Sequence, residues 1–137
     1  MREVEDFLHS WDDDGPDAEV KDVLVELYDY LRTVPGVALG WNARPGVSYS
    51  LRISEEQPPA ERPFFAMIDI IDDDPEERWL SVCMYAALAA DPEERGDVVP
   101  NGLNGQDALC FDVDEDDEEV SAYLQEVLGN MIAGIAR

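Results

Sequence analysis

Residues 120–135, VSAYLQEVLGNMIAGI, carry the strongest structural signal in this chain of 137 residues. Their apolar side chains recur at every third or fourth position, which is typical of an amphipathic helix. These positions are Val120, Tyr123, Leu124, Val127, Leu128, Met131, Ile132 and Ile135. The acidic run 114–119 precedes them and favours a helix N-terminus. Because burial of each large apolar side chain contributes about 1.5–3 kcal/mol, we expect this helix to dock on an apolar surface.

A sheet is the expected partner of this helix. Alternation of apolar and polar residues, interrupted by turn signals, predicts five strands at residues 37–41, 47–53, 64–71, 79–85 and 108–113. Their connections are hairpins or loops, which favours a mostly antiparallel arrangement. One face of the sheet is expected to be apolar, with Val47, Tyr49, Leu51, Ile53, Leu80, Val82, Met84, Leu109, Phe111 and Val113. The sequence therefore predicts an α+β fold, a two-layer sandwich with a five-stranded sheet covered on one face by the N- and C-terminal helices.

The N-terminal part supplies the other predicted helices. Apolar spacing over residues 4–11 indicates a short helix, and an acidic turn follows it within residues 1–14. A second helix is expected from about residue 17 to residue 33, where Pro35-Gly36 ends it. Residues 86–107 read as a long loop segment that begins with a helical turn. We expect the whole of residues 1–137 to form one domain.

The second face of the predicted sheet has an unusual composition. It presents Ser48, Ser50, Arg52, Trp79, Ser81, Cys83, Tyr85, Ala108, Cys110 and Asp112, a mixture of small, polar and aromatic side chains. Three interpretations are open: a face covered by loops, a dimer or ligand surface, or a register shifted by one residue, which exchanges the two faces. If the face binds a ligand or a partner, the contacts are expected from Trp41, Arg52, Trp79, Cys83 and Tyr85.

Charge limits the possible partners. The chain has 33 acidic and nine basic residues, a formal net charge of -24, and Lys21 is its single lysine. A saline habitat and a GC-rich genome both explain such a composition. A surface this negative repels nucleic acid and anionic lipid, so we expect neither partner. The first residues are acidic and lack an apolar stretch, and no apolar run is long enough to span a bilayer. Cys83 and Cys110 form no CxxC motif, so a cytoplasmic protein with two free thiols is expected.

The sequence gives little evidence for a metal site or a catalytic site. Asp72, Asp73, Asp74 and Glu76 lie in one hairpin loop and are candidate oxygen ligands for a hard cation, although a solvated acidic turn explains them as well. Residues 112–118 alternate acids as in a calcium loop but have no glycine at the sixth position, so they are no EF-hand. One histidine, His9, and two separated cysteines do not make a zinc site. We find no catalytic motif and expect neither enzymatic activity nor a cofactor.

Several short strings resemble the MmcQ/YjbR family of small bacterial proteins. The matching strings are residues 31–36, Phe65-Ala66-Met67, Leu80-Ser81-Val82-Cys83-Met84, Val99-Pro100, Asp112-Val113-Asp114 and Asp117-Glu118-Glu119. The resemblance implies a fold similar to that of frataxin and CyaY. Members of the family carry a basic residue and glycines before the Phe-Ala strand and a Trp in the last strand. This chain has Arg62-Pro63 and Phe111 there, and its charge opposes the nucleic-acid role proposed for such folds.

Three functions are compatible with these observations. The first is a non-enzymatic binding or regulatory domain that acts as a homodimer through the second sheet face. The second is a chaperone-like or nucleic-acid-mimicking partner of a basic protein, because a strongly negative shell attracts such a partner. The third is weak binding of calcium or iron by the acidic loop.

Overall fold

The computed structural model describes residues 1–114 and 118–135 and has an α+β fold. It contains one open antiparallel sheet of six strands, in the order β1-β2-β3-β4-β6-β5, and three α-helices. The helices are α1 (Arg2–Ser10), α2 (Ala18–Leu31) and α3 (Glu118–Ile135). The strands are β1 (Val37–Arg44), β2 (Ser48–Glu55), β3 (Ala66–Ile71), β4 (Trp79–Tyr85), β5 (Asp97–Leu103) and β6 (Gln106–Val113). A short 3-10 turn, Ala86–Leu88, follows β4, where a helical turn is predicted.

The sixth strand is the main difference from the sequence-based expectation. Strand β5 lies inside the segment 86–107, which is predicted as a loop, and it pairs with β6 at the edge of the sheet. Six of its seven residues are exposed, so it lacks the alternation that reveals a half-buried strand. It also contains Pro100 and Gly102, and its register shifts between Val99 and Leu103. Proline and an irregular register are tolerated at a sheet edge, which explains why the pattern there resembles a loop.

The predicted apolar face is confirmed as the core side of the sheet, here called the inner face. Leu51, Ile68, Val82 and Phe111 stand in register across β2, β3, β4 and β6, and all are buried. All three helices pack on this face: Phe7 of α1 contacts Trp41 and Tyr49, α2 contacts β4, and Tyr123 of α3 contacts Phe111. One expected member, Val47, lies in the turn before β2 and is 50% exposed.

The helix boundaries follow the predicted signals closely. Helix α2 lies within the predicted range, and Gly36 beyond it has a positive φ of 82°, which favours glycine. Helix α3 begins within the acidic run 114–119, of which residues 115–117 lie outside the described residues. In the part of the chain that the structure describes, no helix is both long and apolar enough to cross a membrane.

The other side of the sheet, here called the outer face, is formed by residues that point away from the helices. Its members include Gly40, Asn42, Arg44, Ser48, Ser50, Arg52, Met67, Asp69, Ile71, Trp79, Ser81, Cys83, Cys110, Asp112 and Asp97. Most of them are half-buried or exposed, in contrast to the centre of the inner face, where the residues are buried. The register is the one expected from the alternation, so the two faces are not exchanged.

Candidate binding surfaces

Arg78 organises one end of the sheet, just before β4 begins. Its guanidinium carbon lies 5.1 Å from the ring centre of Phe7, 5.2 Å from that of Trp11 and 5.9 Å from that of Tyr49. Its Nε donates a hydrogen bond of 2.6 Å to Oδ1 of Asp72, and these two side chains are only 12% and 6% exposed. Stacking on aromatic rings and pairing with a carboxylate together hold the arginine in one orientation.

Asp17 ties the N-terminal turn to this arginine. Its Oδ1 accepts a hydrogen bond of 3.0 Å from the indole N–H of Trp11, and its Oδ2 accepts one of 3.0 Å from the backbone N–H of Arg78. Lys21, also buried, donates to the carbonyl oxygen of Trp11 at 2.8 Å and pairs with Asp13. The turn between α1 and α2 is therefore fixed by buried polar contacts that span three parts of the chain.

Two clefts share the Pro16-Asp17 segment in their walls. One has a volume of about 510 Å³ and the other of about 310 Å³, and both have Arg78 in their wall. Their walls also contain the aromatic rings of Trp11 and Trp79, the prolines Pro16 and Pro75, and the carboxylates of Asp12, Glu76, Glu77 and Asp114. Among the described residues, none of these four carboxylates takes part in an ion pair. We call these two adjoining clefts, with these lining residues, the acidic cleft.

The outer face has a polar centre that is incompletely hydrogen-bonded. Oγ of Ser50, Nε of Arg52 and Oδ1 of Asp69 are buried without a hydrogen-bond partner in the described chain. Burial raises the pKa of Asp69 above its ordinary value of 3.8, and the nearby Ser50 hydroxyl and the guanidinium groups of Arg52 and Arg44 lower it only in part. Buried polar groups normally find partners, so this centre is the most unusual part of the face.

Cys83 and Cys110 are joined by a disulfide, so the expectation of two free thiols is wrong. The two residues are separated by 27 positions in sequence, but they stand directly opposite each other on β4 and β6, with 4.2 Å between their Cα atoms. Such a short distance is typical of the closely spaced pairs of an antiparallel ladder. The adjacency of β4 and β6 depends on the tertiary pairing of strands, and spacing in the sequence does not reveal it.

The five predicted contact residues do not form one site. Arg52, Trp79 and Cys83 share the outer face, as expected. Trp41 lies on the inner face, where its ring centre is 5.4 Å from that of Phe7 and 5.9 Å from that of Tyr49. Tyr85 is 2% exposed, and its hydroxyl accepts a hydrogen bond of 2.9 Å from the side-chain amide of Asn104.

The predicted metal ligands are not brought together either. Both oxygens of Asp72 have protein donors, since Oδ2 accepts a hydrogen bond of 2.9 Å from the backbone N–H of Gly46 and Oδ1 is bound to Arg78. Asp74 accepts a hydrogen bond from the backbone of Glu76, as in a tight turn, and Asp73 is exposed. Within residues 1–114 and 118–135, no group of three or more acidic, histidine or cysteine residues is arranged to hold a metal ion.

Sequence reasoning missed three residues that the structure makes prominent: Asp17, Asp69 and Arg78. Asp69 gave a usable signal, because it is the one charged residue in an otherwise apolar strand. Arg78 gave another, because it is the one cation at the end of an acidic loop. Asp17 is one of many acids near a helix start and is not distinguishable by its neighbours.

Comparison of the chain with protein-family models, curated proteins and solved structures finds no match. The resemblance to the MmcQ/YjbR family therefore stays a prediction that rests on the short strings quoted above. Any functional conclusion depends on the two surfaces just described.

Proposed function

We propose that this chain is a non-catalytic binding protein that takes a basic segment of a partner polypeptide into the acidic cleft. The observation that carries the proposal is the composition of the cleft, where aromatic and proline walls meet carboxylates that have no cationic partner among the described residues. This is the second function predicted from the sequence, now assigned to a particular surface.

The chemistry of each cleft suits a lysine or arginine side chain. In the smaller cleft the aliphatic stem packs on Trp79 and Pro16 and the charged end reaches Glu77; in the larger cleft a second stem packs on Pro75 and its charged end reaches Glu76. Arg78 does not oppose this, because its charge is offset by Asp72 and its backbone is bound to Asp17. The buried network around Asp17 also fixes the walls in advance, which lowers the entropy cost of binding.

The net charge of the chain supports the same partner. A charge of -24 attracts a basic polypeptide over a long distance and accelerates its encounter, most strongly at low salt. The same charge repels nucleic acid, which therefore stays outside the proposed partners. The predicted cytoplasmic location also stays a proposal, and the disulfide counts against it because disulfides persist mainly in oxidising compartments.

Binding of a fluorescein-labelled lysine-rich peptide, measured by anisotropy at fixed ionic strength, tests the proposal. We expect Glu76→Gln/Glu77→Gln to weaken binding by about tenfold, because each lost charge contact contributes on the order of 0.5–1 kcal/mol. Tryptophan fluorescence is expected to change on binding, and Trp79→Phe to reduce that change, with the remainder coming from Trp11.

The matched control is Glu93→Gln/Glu94→Gln, which removes the same charge from exposed residues that line neither cleft. This control is expected to weaken binding by less than about twofold, through the general field alone. Equal losses in the two double variants mean that the peptide binds to charge spread over the whole surface, and the cleft is then not the site.

A further inference from the structure

The outer face has rows of residues in register across its strands, and one of these rows carries opposite charges at its two sides. One row runs Gly40, Arg52, Met67, Cys83, Cys110 and Asp97, from the β1 edge to the β5 edge. Its cation lies on one side, its acid on the other, and the thioether and the disulfide lie between them. The next row runs Asn42, Ser50, Asp69, Ser81 and Asp112, with one acid on β3 and another on β6.

The cationic side of this face has one nearby acid, Asp69, but its arginines form no ion pair within the described chain. Arg44 and Arg52 form no ion pair there, although the sequence offers 33 acidic residues. Arg52 instead packs over the ring of Phe64, 5.1 Å from its centre, and leaves its buried Nε without an acceptor. Ser50, beside it, is only 6% exposed, and its hydroxyl lies near the Asp69 carboxyl group on β3 without a hydrogen bond of regular geometry. These features indicate a face that is completed by another molecule.

We propose that the outer face binds the outer face of a second copy of this chain, around a two-fold axis that runs parallel to the strands between β3 and β4. A two-fold contact uses the same patch on both copies. If one residue of the first copy contacts a second residue of the other copy, the same contact occurs with the two copies exchanged. Rotation about this axis places each row against the same row of the second copy, with the order of the strands reversed. Met67 then lies against Cys83 of the second copy, and Arg52 lies over Cys110 and beside Asp97 of the second copy.

The charges select this axis over the alternative. In the same arrangement Ser50 faces Asp112 of the second copy, and Asp69 faces Ser81 of the second copy, so that each polar group meets a suitable partner. A two-fold axis at right angles to the strands instead brings the arginine-bearing halves of the two copies together, and like charges in contact oppose association. Packed sheets lie about 10 Å apart, a distance that an arginine side chain from one sheet spans.

This surface meets the acidic cleft at Trp79, but salt affects the two in opposite directions. Two copies repel each other at long range because each carries a charge of -24. Added salt screens this repulsion, so self-association is expected to strengthen with salt, whereas binding of a basic peptide weakens. The two proposals can therefore be tested separately, and failure of one does not disprove the other.

Sedimentation equilibrium over a range of protein concentrations, at about 0.5 M NaCl, tests the proposal. The parent chain is expected to dimerise, and Arg52→Asp and Asp97→Arg are each expected to weaken the dimer by about tenfold or more. The combined variant Arg52→Asp/Asp97→Arg is expected to regain the parent affinity within about threefold, because the pair is restored with its charges exchanged.

The matched controls are Arg2→Asp and Asp6→Arg, which change the net charge by the same amounts on an exposed side of α1. They are expected to leave the dimer within about twofold of the parent. A parent chain that is monomeric at every concentration overturns the proposal. So does a dimer in which the Arg52 and Asp97 variants behave like these controls, or in which the combined variant shows no recovery while circular dichroism shows that it is folded.

Discussion

At the scale of single residues, Asp69 shows how a buried carboxyl group acts on stability. It lies on the central strand β3 among apolar residues, and burial is the main cause of its raised pKa. A raised pKa means that the folded chain holds the proton more tightly than the unfolded chain does. Folding is therefore opposed by ionisation of Asp69 once the pH exceeds the ordinary value for an aspartate.

We expect Asp69→Asn to be more stable than the parent at neutral pH, with a difference that disappears as the pH falls below about 4. Below that pH the carboxyl group is protonated in both the folded and the unfolded chain, so the amide has no advantage over it. Urea unfolding of both proteins between about pH 3 and about pH 7, at a concentration where the chain is monomeric, measures the difference.

The control for this experiment is Asp73→Asn, which removes one negative charge from an exposed position. Its stability difference from the parent reports the effect of net charge alone. A difference for Asp69→Asn that stays constant with pH, or that grows towards acid pH, contradicts the assignment of a raised pKa to Asp69.

Arg78 and Asp72 show what a single ion pair does inside a very acidic chain. The chain surrounds one arginine with three aromatic rings and one buried carboxylate, and it uses that carboxylate to bind the turn at Gly46 as well. The acidic residues of the loop 72–78 therefore have two different roles. Asp72 holds the fold, while Glu76 and Glu77 line the acidic cleft.

At the scale of elements, the disulfide between β4 and β6 is the clearest covalent feature. It closes a loop over 27 positions, and a loop of that size is stabilised by about 3–4 kcal/mol through the restriction of the unfolded chain. The two strands are already paired by a continuous ladder, so the bond is expected to add stability without changing the fold.

We expect reduction of the disulfide to lower the free energy of unfolding by about 3–4 kcal/mol while the far-ultraviolet circular dichroism stays unchanged. Urea unfolding with and without a phosphine reductant measures this. Cys83→Ser/Cys110→Ser is the control. Its free energy of unfolding is expected to equal that of the reduced parent and to be the same with and without the reductant. If the reductant leaves the parent unchanged and mass spectrometry finds alkylated thiols before reduction, the two cysteines are free in solution.

The elements also show which parts of the fold are readable from the sequence. Strong periodicity identified all three helices and five of the six strands, because each has one face buried in the same core. Strand β5 was missed because it is an exposed edge strand whose pairing depends on β6 rather than on its own pattern. The site is readable only in part: alternation places Arg52, Trp79 and Cys83 on the outer face, where the structure has them, whereas Trp41, predicted as a contact residue, lies on the inner face. The packing of the Trp41 ring against Phe7 of α1 and the disulfide both depend on contacts between distant parts of the chain, which alternation in the sequence does not reveal.

At the scale of the whole molecule, the balance of charge opposes folding. The chain carries 33 acidic residues and only nine basic ones, so compaction brings many carboxylates closer together than they are in the unfolded chain. At low ionic strength this repulsion acts over tens of ångströms, and at about 0.5 M salt it is confined to a few ångströms.

The sign of the resulting salt effect follows from this argument. We expect the free energy of unfolding by urea to rise steadily as NaCl increases from about 0.01 M to about 0.5 M, because screening relieves the folded state more than the expanded one. Urea is the suitable denaturant because it carries no charge.

The measurement belongs in the Arg52→Asp background, where dimerisation is suppressed and does not add its own salt dependence. Sucrose serves as the comparison, because it stabilises compact states by exclusion from the surface without screening charge. If stability is flat or falls with NaCl in this monomeric variant, the acidic surface is already neutralised by bound cations at low salt, and the long-range attraction of a basic partner loses its physical basis.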